Sequence, residues 1–401
     1  MTRALATIVF TTQFGAYAAA SEPEPGAADD SAYELGATYI GDLWRNASGG
    51  RRTGGVYLEN LDVTLAIDGE RAWGARGWSA FVYGLYTNSK RFSERYVGDA
   101  MTVSNIDAAE AWRVYEAWLQ WESASTDPWS VRFGLYDLNS EFDVSDSRSL
   151  FIHSTHGVGH ELGQTGANGP SIFPVTSLAV RASFAPAPGW RVLVGVFDAA
   201  AGDPDHPSSN RIRVDSDEGA LGIAELQWSG ERVTKLSLGS WRYSAEFEDV
   251  RSRDEDPRPA RDGNAGTYAA IEVKLDRAGA EPNTLAFVRY GVANDRLNEF
   301  KDSLGVGVRR RALFAARPDD ELGFAFSRTS VGEPARAAGA AAGAPRDAYE
   351  AAIELTYRAP ITSWLTLQPD VQYIFNPGAD PALDDSLALG LRLEFSAAAF
   401  R

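Results

Sequence analysis

Five apolar residues, Leu387, Leu389, Leu391, Leu393 and Phe395, alternate with Ala388, Gly390, Arg392 and Glu394. A period of two puts one set on each face of a β-strand. The same alternation sets Tyr349, Ala351, Ile353, Leu355 and Tyr357 against Glu350, Ala352, Glu354, Thr356 and Arg358. It sets Leu365, Leu367, Val371 and Tyr373 against Thr366, Gln368, Asp370 and Gln372, and Tyr57, Leu61, Val63 and Leu65 against Asn60, Asp62 and Thr64. Each segment thus has one apolar face and one face of charges, amides and small residues. Such a chain must put the first face against oil and the second against polar groups or water.

Sixteen such runs are predicted: 34–43, 56–66, 77–86, 113–122, 130–137, 177–185, 190–198, 218–228, 233–244, 266–275, 284–291, 303–309, 321–329, 347–357, 363–374 and 386–395. The odd-numbered connections between them are mostly long, beginning with 44–55. The even-numbered ones are mostly short and carry turn residues, PAPG at 186–189 and SG at 229–230. In an antiparallel sheet this places the long loops at one end. An even strand number, short turns at one end and longer loops at the other describe a bacterial outer-membrane barrel. Tyr349 and Tyr357 are expected at its two interfaces. The competing fold is an exported soluble β-protein, a polysaccharide-binding protein or lyase, with its apolar faces packed inward. Sixteen strands exceed the seven to nine of a common sandwich, and no fixed repeat marks a solenoid.

Composition narrows the function. Lys+Arg is 38 against 55 Asp+Glu, a formal charge of −17, which argues against a nucleic-acid partner. The absence of cysteine excludes disulfides and thiolate metal sites. Residues 1–20, with Arg3, an apolar Ala4–Phe10 run and Ala18-Ala19-Ala20, read as a signal peptide. Residues 21–33 follow as a short N-terminal segment, and 34–401 as the barrel domain. No run approaches the 18 apolar residues of a membrane helix. The charged run 248–263 and the Ala-rich run 335–345 read as outer loops.

The longest connection, 138–176, contains FIHSTHGVGHELGQTGANGPSIFP, with His153, His156 and His160. Loops this long in a compact domain are usually functional. At a barrel mouth it can fold inward and narrow the lumen. Asn139, Glu141, Asp143, His153, His156, Gln164 and Asn168 offer donors and acceptors for hydroxyl-rich solutes. Three other readings are weaker. Gly157 and Gly159 interrupt the helical spacing that a histidine metal site would use. Glu141 and Asp143 as an acid–base pair have only their spacing in favour. The third is a loop that simply plugs the barrel.

Several strings resemble the carbohydrate-selective porins of the OprB family: YLENLDVTL (57–65), VRFGLYDLNSEFDV (131–144), FIHSTHGVGHELGQTGANGPSIFPVTSL (151–178), VGVFDAAAGDPDHP (194–207), RPDDELGFAF (317–326) and WLTLQPDVQYIFNPG (364–378). They span nearly the whole mature chain in order. The resemblance implies an all-β, sixteen-stranded antiparallel transmembrane barrel. It also implies passive uptake of sugars such as glucose, with no catalysis and no cofactor. The sequence departs from that pattern at its end, FSAAAFR, where such barrels commonly finish on an aromatic residue; recognition by the assembly machinery is expected to be altered. Only about a dozen residues separate the expected cleavage site from the first predicted strand, so the surface-layer-type domain that some relatives carry in front of the barrel is expected to be absent.

The combined expectation is an outer-membrane porin, not an enzyme. Asn139, Glu141, His153, His156, Gln164 and Asn168 are the candidates at a constriction. Asn60, Asp62, Asp370, Gln372, Arg392 and Glu394 are expected to line the lumen. No metal is expected. Expected partners are small sugars, outer-membrane lipid and lipopolysaccharide, the barrel-assembly machinery and, as an open possibility, further copies of the chain. A barrel of the same build for another small solute stays open.

Overall fold

A computed structural model describes residues 31–88, 90–124, 129–203, 206, 212, 219–252, 258–276 and 283–399. The expected signal peptide lies outside the described residues. Sixteen strands follow one another: β1 (Tyr33–Gly50), β2 (Gly54–Asp68), β3 (Trp78–Thr87), β4 (Ala111–Glu122), β5 (Trp129–Tyr136), β6 (Ser177–Phe184), β7 (Trp190–Asp198) and β8 (Ala220–Trp228). Then come β9 (Val233–Tyr243), β10 (Ala265–Lys274), β11 (Thr284–Ala293), β12 (Phe300–Arg311), β13 (Glu321–Val331), β14 (Tyr349–Thr362), β15 (Leu365–Phe375) and β16 (Asp384–Ala399). Each pairs antiparallel with its neighbours in sequence, and β1 pairs with β16 to close a barrel. Closure leaves no edge strand with unpaired backbone groups, the condition for a sheet to sit in lipid.

The barrel is inside-out relative to a soluble protein. On β15, Val371 is 41% exposed while its neighbour Gln372 is fully buried. Val63, Leu355 and Leu389 likewise face out, whereas Asp62, Glu354 and Ala388 face in. Trp78, Trp129, Trp190 and Trp364 stand exposed at the short-turn end. Tyr86 and Trp112 stack at 4.5 Å toward the long-loop end. Such girdles mark the two membrane interfaces of a transmembrane barrel. Tyr349 opens β14 at the long-loop end, and Tyr357 lies near its other end, where its hydroxyl bonds Asp320.

All sixteen strands fall where the alternation put them, but several run longer. The connection expected at 44–55 shrinks to 51–53, because β1 and β2 continue past the apolar band. Outside that band the outward positions, Arg45 and Ala47, carry no apolar signal. The Ala-rich run expected as a plain loop forms a helix, Glu333–Ala341, as alanine's propensity favours.

Candidate functional site: a lumen crossed by a loop

Two long connections fold into the barrel. The first, 88–110, lies against the wall formed by β1 and β14–β16. The Glu350 carboxylate on β14 accepts from the Ala100 and Met101 backbone N–H groups, both at 2.8 Å. Gln372 on β15 donates to the Val103 carbonyl at 3.0 Å. Arg392 on β16 grips Asp42 on β1 with two bonds of 2.8 Å and donates to Asn105 at 2.7 Å. One guanidinium therefore ties the closing seam of the barrel to the loop.

The second connection, 137–176, crosses the lumen. It is built from short helical turns, 138–140, 148–150, 154–156 and His160–Gly163. Charged side chains on the inner wall hold it along its length. Arg181 on β6 and Arg191 on β7 each donate to Glu141 at 2.7 Å. Glu225 on β8 accepts from the Asp143 N–H at 2.7 Å, and Glu272 on β10 from the Ser147 N–H at 2.6 Å. Arg309 on β12 donates to the Asp146 carbonyl at 3.0 Å, and Glu354 on β14 accepts from the Ile152 N–H at 2.6 Å. Gln368 on β15 donates to the Leu150 carbonyl at 2.7 Å.

The tightest junction is at Arg289 on β11. Its guanidinium donates to Asp143 at 2.8 Å and to both oxygens of Glu161 at 2.6 Å. Arg148 adds a second cation on Asp143 at 2.8 Å. All four side chains are at most 3% exposed. Two glycines make room: a Cβ on Gly159 would lie 1.9 Å from the Arg289 guanidinium, and one on Gly291 would lie 2.0 Å from Glu161. Burial alone would raise the Asp143 carboxyl, but Arg148 and Arg289 hold it below the ordinary range. Burial opposes ionisation of Glu141 too, and Arg181, Arg132 and Arg191 outweigh it, keeping that carboxyl charged.

Residues 52–396 match the family model described as "Carbohydrate-selective porin, OprB family". The chain belongs to this family. Porin B of Pseudomonas aeruginosa is 24% identical over 91% of this chain and 87% of its own length. A structure of Pseudomonas putida OprB at high pH superposes with a TM-score of 0.81 at 20% identity, covering 91% of this chain and 94% of that one. Its low-pH structure gives 0.57 at 18% identity, covering 91% and 93%. The protein is thus a porin of the outer membrane, a passive channel rather than an enzyme; barrels of that membrane have their short turns at the periplasmic end.

In this porin the expected site residues fall into three groups. Asn139, Glu141, His153 and His156 are buried within the crossing loop, at 4, 8, 1 and 2% exposure. The Asn139 amide donates to the Phe142 and Gly157 carbonyls at 3.1 and 3.3 Å, and His153 pairs with Thr155 at 2.7 Å. These side chains are turned into the interior of the loop. Gln164 and Asn168 are partly exposed; they anchor to the Phe300 backbone and to the Ala201 carbonyl. Glu141 and Asp143 turn to different arginines, so they do not face a common reactant. Among the described residues no three His, Asp or Glu side chains converge as metal ligands.

Asn60, Asp62, Asp370, Gln372 and Arg392 face inward but are buried, so they do not meet open water. Asn60 and Tyr83 both donate to Asp62, at 2.6 and 2.7 Å. Glu394 alone of this set is wet, with 21% of its side chain exposed. Sequence reasoning missed the inward cations Arg132, Arg181, Arg191 and Arg289. Arg181 and Arg289 each sit between outward neighbours on an alternating strand, Val180 and Ala182, Val288 and Tyr290. That was the available signal.

Proposed function

We propose that this porin passes monosaccharides such as glucose down their gradient, and that the connection 137–176 narrows its water-filled lumen. The observation that carries this reading is the series of bonds from that connection to inward side chains of β6, β7, β8, β10, β11, β12, β14 and β15. A segment tied to strands that far round the wall divides the lumen. A narrowed, polar passage sorts solutes by diameter, charge and hydrogen-bonding groups. Gln164 and Asn168, at the partly exposed edge of the loop, are the contact residues in this reading. Asn139, Glu141, His153 and His156 act by placing that edge. The outer apolar wall then meets lipid and lipopolysaccharide.

The test is single-channel current through the purified protein in a planar bilayer, titrated with glucose and then maltose. Saturable reduction of current by glucose, with weaker block by maltose, is the expected result. Channels that glucose leaves unaltered would keep the barrel and reject the sugar specificity.

A further inference from the structure

Below the crossing loop, four inward side chains form a chain of alternating charge on the periplasmic part of the wall. Arg309 on β12 lies 3.4 Å from Glu321 on β13; Arg358 on β14 lies 4.0 Å from Glu321 and 3.7 Å from Glu394 on β16. Thr366 on β15 fills the gap between the last two strands, paired with Glu394 in the register. Their strand positions set the level: Glu321 opens β13, Arg309 is near the end of β12, and Arg358 and Glu394 lie toward the short-turn ends of β14 and β16.

This chain differs from the cluster at Arg289 in two respects. Its side chains are wet, 12% exposed at Arg309, 14% at Glu321, 32% at Arg358 and 21% at Glu394. Its contacts are also loose. A charge-assisted N–H···O bond closes at about 2.7–2.9 Å, and the short bonds at Arg289 are 2.6–2.8 Å, whereas these separations run from 3.4 to 4.0 Å. Apart from the bond from Arg309 to the Asp146 carbonyl at 3.0 Å, guanidinium donors and carboxylate acceptors are therefore left unsaturated toward the exit water. Donors and acceptors alternate along the wall, with strands about 4.8 Å apart.

We propose that this ladder is a second solute station, at the periplasmic exit, for small neutral polyols of monosaccharide size. Neighbouring hydroxyls on such a solute each donate and accept. They can bridge an arginine and a glutamate that do not reach each other. A full-strength ion pair would compete for those groups; a loose one yields them. Conduction needs binding that is favourable enough to capture yet weak enough to release, spread over several sites. The inference rests on the sugar-porin reading above.

The discriminating variant is Glu321→Gln with Arg358→Gln, which leaves the net charge of the lumen unchanged. Association rates of glucose are read from current fluctuations, with sugar added first from the loop side and then from the turn side. Loss of one or two hydrogen bonds corresponds to about a fivefold drop in the turn-side rate, with the loop-side rate unaltered. Equal rates in wild type and variant from both sides would overturn the station while leaving the porin's sugar specificity standing. A wild-type channel showing no glucose interaction from either side would overturn both. If the double variant does not assemble, Arg358→Lys keeps the charge and removes the planar fork. A reduced turn-side rate in that variant supports the station, and an unaltered one overturns it.

Discussion

Two ion networks share the interior of one barrel and are built to opposite rules. At Arg289 two cations and two carboxylates are joined by N–H···O bonds of 2.6–2.8 Å, all nearly dry. At Arg358 the same residue types stand 3.7–4.0 Å apart and wet. The first arrangement fixes a long irregular loop that also buries Leu138, Phe142, Val158 and Leu162 in an apolar cluster with the wall. Buried charges bind only specific partners, so they fix register as well as position. The second leaves its groups free to exchange partners with what passes. Distance and wetness, rather than residue type, separate scaffold from path.

The comparison can be broken first at its strong end. Arg289→Met leaves Glu161 without its cation and Asp143 with Arg148 alone. Removing one partner of a buried pair costs about 3–5 kcal/mol. Because the barrel ladder is untouched, that loss should appear as early release of the loop. The check is limited proteolysis within 137–176 at temperatures where the barrel still migrates as folded on a gel. Glu141→Gln should act in the same direction and somewhat less, since Arg181 keeps Ser130 and Gln120 as acceptors. At the loose end, Glu321→Gln with Arg358→Gln should shift thermal unfolding by no more than about 1 kcal/mol, as for other solvated pairs. A large shift there would erase the distinction.

The dry and wet regions should also differ in their response to pH. Burial holds His153 down to about 3, with some help from His160, and holds His160 itself down to about 4. Both lie below the ordinary histidine value of about 6.5. The unfolded loop therefore binds more protons, and the stability these rings support is complete above about pH 6.5 and lost as pH falls toward 4 and then 3. Burial raises Asp146 to about 6, which works in the opposite sense, losing stability as pH rises from about 4 through 6. His160→Phe keeps the ring that packs on Phe300. Its loop should be less sensitive than wild type between pH 7 and 4, measured by the same cleavage assay against an unfolded control.

How much of this was written along the chain follows from the range of each signal. Alternation is local, so Val371 and Gln372 declare their faces without reference to any other strand. The connection 137–176 announced itself by length. Its anchoring did not, because Asp143 meets Arg289 across 146 residues of sequence and only after the barrel closes. The inward fold of 88–110 was hidden for the same reason: its partners, Glu350, Gln372 and Arg392, arrive from the far end of the chain. The rarity and polarity of histidine make it a contact candidate, but its burial is not legible in the sequence. Burial at 1–2% makes His153 and His156 part of the loop's interior instead.

In the proposed function the loop is a strut whose position sets the passage. This role is tested most directly by the open-channel conductance of Arg289→Met, recorded beside wild type in the same bilayer. A larger conductance and weaker glucose block are expected in the variant, with the barrel intact. A variant that unfolds no sooner, conducts no more and binds glucose as before would contradict it.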